Sequence, residues 1–260
     1  TPYFFSARVF SQIDLVSIEL QKVYRQTDSV FVSVLDHIRT NTAGAADLQL
    51  LNTRYGSHIE ESEADMYITL ATRRDTVDSI NEKKLAELAG EPITFEGSIE
   101  GDFPESSLPT SQELVLKPGA QIIFIKNDFD RRWVNGTIGV IAGIDEEEET
   151  IYVITDDGKE CDVKRESWRN IRYRYNEKTK EIEEEVLGSF TQYPIRLAWA
   201  ITVHKSQGLT FSRVVIDFTG GVFAGGQAYV ALSRCTSLDG IQLKKPINRA
   251  DIFAVSYTHL

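Results

Sequence analysis

Cysteine and long apolar runs are scarce in this 260-residue chain. Its two cysteines, Cys161 and Cys235, are too few for a disulfide framework and lack the spacing of a metal site. No apolar run approaches the roughly 20 residues that span a bilayer. The N-terminal TPYFFSARVF lacks the basic segment that opens a signal peptide. We therefore expect no membrane partner, no bound metal ligated by this chain and a location in the reducing cytoplasm.

Basic side chains are also fewer than acidic ones. The chain has 28 basic and 39 acidic side chains, which give a net charge of −11. Taken alone, this balance argues against a nucleic-acid partner. The charge is segregated, however, since residues 196–260 carry 7 basic and only 3 acidic side chains. Local charge rather than net charge governs contact with phosphates. A nucleic-acid partner is therefore compatible with this last segment.

Two polar clusters interrupt the otherwise apolar stretch 193–243. The first contains Thr202, His204, Lys205, Ser206, Gln207 and Gly208, and the second contains Gln227, Ser233 and Arg234. Apolar spacing predicts a helix that ends at Gly208, a strand over 214–218 and a second helix that carries Gln227 and Arg234. Polar ends of such elements meet at one edge of an α/β sheet. The alternative is structural, with Arg234 on the surface and His204 satisfied at a helix end.

The strings AITVHKSQGLTF and GQAYVALSRCTSLDGI resemble motifs V and VI of superfamily 1 DNA helicases of the RecD/Pif type. The resemblance implies that Arg234 is an arginine finger, whose permanently charged fork follows charge on the γ-phosphate of ATP. It also implies nucleotide-side contacts from Gln207, Gly208 and Gln227. In that family motif V couples the nucleotide site to the bound strand. We accordingly expect Thr202, His204 and Lys205 to contact single-stranded DNA.

Two upstream segments extend the resemblance. The string LQKVYRQTDSVFVSVLDHIR resembles motif IV, which implies that Arg25 is a second nucleotide contact, ahead of a helix capped by Thr27 or Asp28. A predicted strand over 66–70 precedes Thr72, which is expected to cap a helix with Asp75. This junction resembles the family's segment that faces the nucleic acid, and Thr72 is the expected contact. An ordinary βα unit is the alternative.

Prolines and glycines over 91–118 mark a boundary, after which the predicted elements are short strands joined by tight turns. Strands are predicted over 122–125, 137–144, 150–155, 160–163, 168–175 and 182–190. Such a series indicates a small barrel. The strings KPGAQIIFIKND and RRWVNGTIGVI resemble the SH3-like insertion of these helicases. Trp133 and Asn135 are predicted to contact a single strand there, although a solvated loop with one packed tryptophan is the alternative.

The resemblance as a whole implies an α/β chain in which a RecA-like parallel-sheet motor domain contains an inserted small SH3-like β-barrel. We assign residues 1–110 and 194–255 to the second RecA-like motor domain, 111–193 to the barrel and 256–260 to a non-native tail. The implied activity is ATP-dependent DNA unwinding, 5′ to 3′ in most relatives. The implied cofactor is ATP with Mg²⁺, and the implied partners are single-stranded DNA, duplex junctions and an N-terminal motor domain of the same protein.

The sequence departs from the helicase pattern in one respect. It contains no G-x-x-x-x-G-K-[ST] phosphate loop, because Gly158-Lys159 is followed by Glu160, and the acidic Mg²⁺-binding motif is also missing. We therefore expect this C-terminal half to be inactive by itself and the full-length parent to be the enzyme. Two alternatives remain at this point, a non-enzymatic nucleic-acid-binding module and a helicase-like domain of a conjugative relaxase.

Overall fold

The computed structural model describes residues 6–16, 18, 24–57, 66–177 and 179–253. The predicted tail 256–260 lies outside these ranges. The α-helices are α1 Ser29–Arg39, α2 Ala45–Asn52, α3 Arg74–Glu87 and α4 Gln227–Leu232. No helix within the described ranges is long and apolar enough to cross a membrane.

The strands fall into two groups along the chain. The first group consists of β1 Ile68–Ala71, β12 Ala200–Thr202, β13 Val214–Asp217 and β14 Ile241–Leu243. Between them lie β2 Ile93–Glu96, β3 Ser98–Gly101, β4 Glu113–Leu116, β5 Gln121–Phe124, β6 Ile138–Asp145, β7 Thr150–Thr155, β8 Glu160–Val163, β9 Glu166–Asn176, β10 Glu181–Gln192 and β11 Ile195–Leu197.

The first group forms a four-stranded parallel sheet in the order β12-β1-β13-β14. Strands β1 and β13 are buried along their whole length, because helices cover both faces of such a sheet and leave no solvated side. Helix α1 packs its apolar stripe into the same core. That stripe consists of Phe31, Val34, Leu35 and Ile38, and the Asp28 carboxylate caps the helix by accepting from Val30 N. The prediction of an α/β chain with a parallel sheet is confirmed.

The second group forms antiparallel sheets. Strands β11-β5-β6-β7-β8 make one, β3-β10-β9 a second and β2-β4 a third. The first and third sheets share an apolar core. The pairing includes β2, β3 and β11, which lie outside the predicted limits 111–193. Gln121 joins this part to the parallel sheet, because its Nε2 donates to Tyr67 O and Ala198 O at 2.9 and 2.8 Å.

The prediction of a helix that ends at Gly208 is wrong. Residues 195–197 and 200–202 are strands, and a single 3-10 turn, His204–Ser206, follows them. Strand β12 pairs in parallel with β1, so a distant partner decided the conformation of an apolar segment too short to reveal its own period. Gly208 does adopt a positive φ of 83°, which favours glycine. The predicted Thr72 cap is also wrong, since α3 has Arg73 as its N-cap and no side-chain capping bond.

Candidate functional site

Arg25 and Arg234, which are far apart in sequence, meet at the end of α4. Arg25 Nε donates to Thr210 Oγ1 at 2.8 Å, and its Nη1 donates to Ser233 O at 3.1 Å. The segment after Gly208 and the segment that contains Arg234 are therefore both held by Arg25. We call Arg25 and Arg234 the arginine pair.

Arg234 is held more tightly, with only 9% of its surface exposed. Its Nε donates to Val230 O at 3.0 Å, its Nη1 to Leu209 O at 3.3 Å and its Nη2 to Ser233 Oγ at 2.9 Å. A guanidinium has five N–H donors, so these bonds fix the fork and leave two donors for a ligand. The orientation of Arg234 is therefore set by the chain itself.

The charge of the arginine pair is not neutralised by a carboxylate. Among the described residues, no Asp or Glu forms an ion pair with either arginine within 4.0 Å. Burial lowers the pKa of Arg234, and the nearby charge of Arg25 lowers it further. Two cations held close together with neutral partners favour the binding of an anion.

The predicted nucleotide-side residues differ in their positions. Gln207 and Gly208 are exposed and directly precede Leu209 and Thr210, which provide two of the acceptors for the arginine pair. Gln227 is buried at the start of α4, where its Oε1 accepts from Phe223 N at 3.2 Å. Its Nε2 has no hydrogen-bond partner among the described residues. The structure thus brings Gln207 and Gly208 next to the arginines and leaves Gln227 with an unused buried donor.

Thr202, His204 and Lys205 lie just past the carboxyl end of β12. Thr202 Oγ1 accepts from Lys205 N at 3.3 Å, and both His204 and Lys205 are exposed. The His204 ring lies 6.5 Å from the ring of Phe223. The parallel register pairs Ala71 with Thr202, so the first turn of α3 and the turn after β12 leave the same edge of the sheet. All three predicted strand contacts therefore share one edge with α3.

Two further cations join this edge. Partial desolvation lowers the pKa of Lys205, and the charges of Arg196 and Arg74 lower it further, while Asp78, whose Oδ2 lies 3.6 Å from Arg74 Nε, opposes the shift. Arg196 lies on β11, and its Nε is buried without a partner among the described residues. We call Lys205, Arg196 and Arg74 the basic edge. Arg196 and Arg74 are not among the residues predicted from the sequence. The positive charge of residues 196–260 was a signal for Arg196, whereas Arg74 lies outside that segment.

The predicted contact from Thr72 requires correction in this conformation. Thr72 is buried, and its Oγ1 has no partner among the described residues. Gly220 packs closely over it, because a Cβ at Gly220 would lie 3.2 Å from Thr72 Oγ1 and 2.6 Å from Arg73 Cδ. The Thr72 hydroxyl is therefore covered, and Arg73 and Arg74 present the surface at this strand end.

The structure also contradicts base stacking by Trp133. Only 5% of Trp133 is exposed; its ring stacks on Phe124 with centroids 4.4 Å apart, and its Nε1 donates to Lys126 O at 3.2 Å. The packed tryptophan, the alternative given above, is what the structure contains. Asn135 remains exposed in the same loop, and Phe129 is 96% exposed at the tip. Gly136 contacts motif V, since a Cβ there would lie 2.7 Å from Leu209 Cδ2.

The donor chemistry fits phosphate better than metal. The arginine pair provides permanent positive charge for a phosphate, whereas no group of three or more His, Cys, Asp or Glu side chains within the described ranges could hold a metal ion. Residues of this chain that fit ATP are therefore Arg25, Arg234, Gln207 and Gly208.

Comparison with known proteins gives a consistent set of relatives. The ATP-dependent DNA helicase Pif1 of Bdellovibrio bacteriovorus is 32% identical over 232 residues, which cover 87% of this chain and 49% of that protein. Other curated relatives are ATP-dependent DNA helicases named Pif1, at 31–35% identity. The chain spans about half the length of the first of these relatives. No family model matches the chain.

Solved structures agree with the sequence relatives. A crystal structure of Bacteroides Pif1 in complex with ADP-AlF4 matches 97% of this chain with a TM-score of 0.83 and 36% identity, over 57% of its own length. Bacteroides Pif1 in complex with ADP-AlF3 and ssDNA matches 98% of the chain with a TM-score of 0.71 and 36% identity, over 58% of its own length. The chain is thus similar in sequence and in fold to a large part of Pif1 helicases.

Proposed function

We propose that this chain is the C-terminal motor half of an ATP-dependent DNA helicase of the Pif1 type. The observation that carries the proposal is the arginine pair, two cations that are held together by neutral partners and have no carboxylate ion pair among the described residues. Similarity to Bacteroides Pif1 with ADP-AlF4 supports a nucleotide as the anion. The relationship to RecD helicases and the 5′ to 3′ direction of unwinding rest on the motif resemblance alone.

In this proposal the two halves of the motor divide the chemistry. The N-terminal motor domain holds ATP and Mg²⁺ with its phosphate loop, and Arg234 approaches the γ-phosphate across the cleft. Its remaining N–H donors stabilise the negative charge that spreads over the phosphoryl oxygens in the transition state. Arg25 adds positive charge and fixes the turn that carries Arg234. Gln207 and Gly208 join the nucleotide side to motif V.

The basic edge is proposed to hold the translocated strand. Lys205, Arg196 and Arg74 supply charge, and Thr202, His204 and Asn135 supply polar groups for phosphate or sugar contacts, which carry no sequence information. Similarity to Bacteroides Pif1 with ssDNA supports this partner. The same proposal includes contact with duplex junctions. It also includes an inserted barrel of SH3-like type over residues 111–193, between the two parts of the motor domain, 1–110 and 194–255. A cytoplasmic location rests on the two free, buried cysteines.

We expect the isolated chain to show no strand-stimulated ATP hydrolysis, because arginines without a phosphate loop cannot hold the nucleotide. Phosphate release is measured with purified chain, ATP, Mg²⁺ and single-stranded DNA. The matched control is the chain with Arg234→Ala, which should give the same background. Stimulated turnover that is lost in the Arg234→Ala chain would show that the nucleotide site is complete in this half.

We expect Lys205→Ala in the full-length parent to weaken single-strand affinity about equally for different sequences. One lost phosphate contact on a single strand should flatten the slope of log affinity against log salt by roughly 0.7. Salt titrations with fluorescent oligonucleotides measure this slope. Lys83→Ala is the matched control, since Lys83 is an exposed lysine on α3 that lies near Glu87. Parallel lines for Lys205→Ala and wild type would remove Lys205 from the strand path.

A further inference from the structure

Gln26 binds the backbone on both sides of Arg234. Only 6% of Gln26 is exposed, and its Nε2 donates to Ser233 O at 3.0 Å and to Cys235 O at 2.8 Å. Both amide hydrogens are therefore used, one on each side of the arginine. No sequence pattern assigns Gln26 a role of its own.

The position of these two carbonyls explains why an external donor matters. Helix α4 ends at Leu232, and the last carbonyls of a helix have no partner within it. The carbonyl of Arg234 itself accepts from Phe211 N at 3.0 Å, so the carbonyls of Ser233 and Cys235 on either side need other donors. Arg25 Nη1 shares the Ser233 carbonyl with Gln26. Residues 25 and 26 thus hold one carbonyl together, and Gln26 alone reaches past Arg234 to the second.

We infer that Gln26 is a positioning residue for Arg234, and that it transmits the position of the segment before α1 to the arginine. The inference rests on the proposed function, because it assigns Gln26 no contact with nucleotide. Its effect passes through the peptide units on either side of Arg234. A small displacement of that turn would move the guanidinium away from the developing charge, and a misplacement of about 1 Å can cost on the order of 10²-fold in rate.

A purely structural role is the competing explanation, and the chain contains a matched control for it. Gln192 is fully buried, and its Nε2 donates to Phe95 O at 2.8 Å and Gln112 O at 2.9 Å, in the antiparallel part of the chain. Gln26→Met removes two buried hydrogen bonds and Gln192→Met removes three, because Tyr193 N also donates to Gln192 Oε1 at 2.9 Å. Both substitutions keep the side-chain volume nearly constant. Both should lower the stability of the chain, but only the first should act on Arg234.

The experiment uses the full-length parent and measures ATP hydrolysis with saturating single-stranded DNA. Gln26→Met is expected to lower kcat by about 10²-fold, with little change in the KM for ATP or in strand affinity. Gln192→Met should retain the kcat of wild type below its unfolding temperature. In an Arg234→Ala background, Gln26→Met should cause no further loss, because the group that it positions is gone. Gln26→Asn, which keeps the amide on a shorter side chain, should give an intermediate kcat.

The outcomes test the role of Gln26 separately from the proposed function of the chain. A folded Gln26→Met variant with wild-type kcat, or an equal loss in the presence and absence of Arg234, would overturn the role of Gln26. If Gln26→Met does not fold, Gln26→Asn decides by the same comparison. An Arg234→Ala parent with wild-type kcat would instead overturn the proposed function itself.

Discussion

Replacing Arg234 with alanine in the full-length parent is expected to lower the kcat of strand-stimulated ATP hydrolysis by about 10³-fold or more. The reason is that its fork would face the γ-phosphate, where it stabilises charge that develops in the transition state. Nucleotide affinity should change little, because the other motor domain holds most of the ATP. Arg234→Lys should not restore kcat, since a single ammonium cannot replace a planar fork held by three separate acceptors.

The control for this prediction is Arg249→Ala. Arg249 also bonds the chain through its guanidinium, donating from Nη1 to Asn41 Oδ1 and from Nη2 to Asn41 O, both at 2.9 Å. It lies outside the arginine pair, so its loss should leave kcat unchanged. Steady-state kinetics and equilibrium nucleotide binding measure the two effects separately. Wild-type turnover in Arg234→Lys would leave Arg234 with a structural role.

The second large effect is on stability. Trp133→Ala is expected to lower the free energy of unfolding by about 3–5 kcal/mol, since it deletes a large aromatic side chain from a packed core. The ring is enclosed by Phe124 on one side and by the Arg132 guanidinium, whose Cζ lies 4.6 Å from the ring centroid. Urea unfolding of the isolated chain measures this loss.

Phe129→Ala gives the contrasting measurement, because Phe129 is 96% exposed in the same loop. An exposed side chain with no core contacts should change stability by less than about 0.5 kcal/mol. If Trp133→Ala instead left stability unchanged and weakened strand binding, Trp133 would be a stacking residue and the packing described here would not hold in solution.

Local patterns predicted part of the fold well. The apolar spacing of α1 and its Asp28 cap are confirmed, and strands β7 and β8 have the predicted limits, because each depends on neighbours close in sequence. The helix predicted to end at Gly208 failed for the opposite reason. Strand β12 owes its conformation to β1, more than a hundred residues earlier in the chain, and no local period records that partner.

In the candidate site, too, local motifs were predictable from the sequence and contacts between distant residues were not. Motif resemblance selected Arg25 and Arg234, but their shared contact with Ser233 depends on folding over a separation of 208 residues. Gln26 and Arg196 escaped detection because their roles follow from burial and from particular carbonyls or charges nearby. Trp133 was assigned to the surface because a tryptophan beside arginines resembles a stacking site, and only the packing reveals Phe124 beneath it.

The central claim is that Arg234 reaches across to a nucleotide held by the other half of the parent. The most direct test is a crystal structure of the full-length parent with ADP, aluminium fluoride, Mg²⁺ and single-stranded DNA. We predict an Arg234 Nη atom within about 3.2 Å of the fluoroaluminate group, with Gln26 still bonded to Ser233 O and Cys235 O. An Arg234 fork that bonds only to its own chain, with a different cation facing the fluoroaluminate, would contradict it.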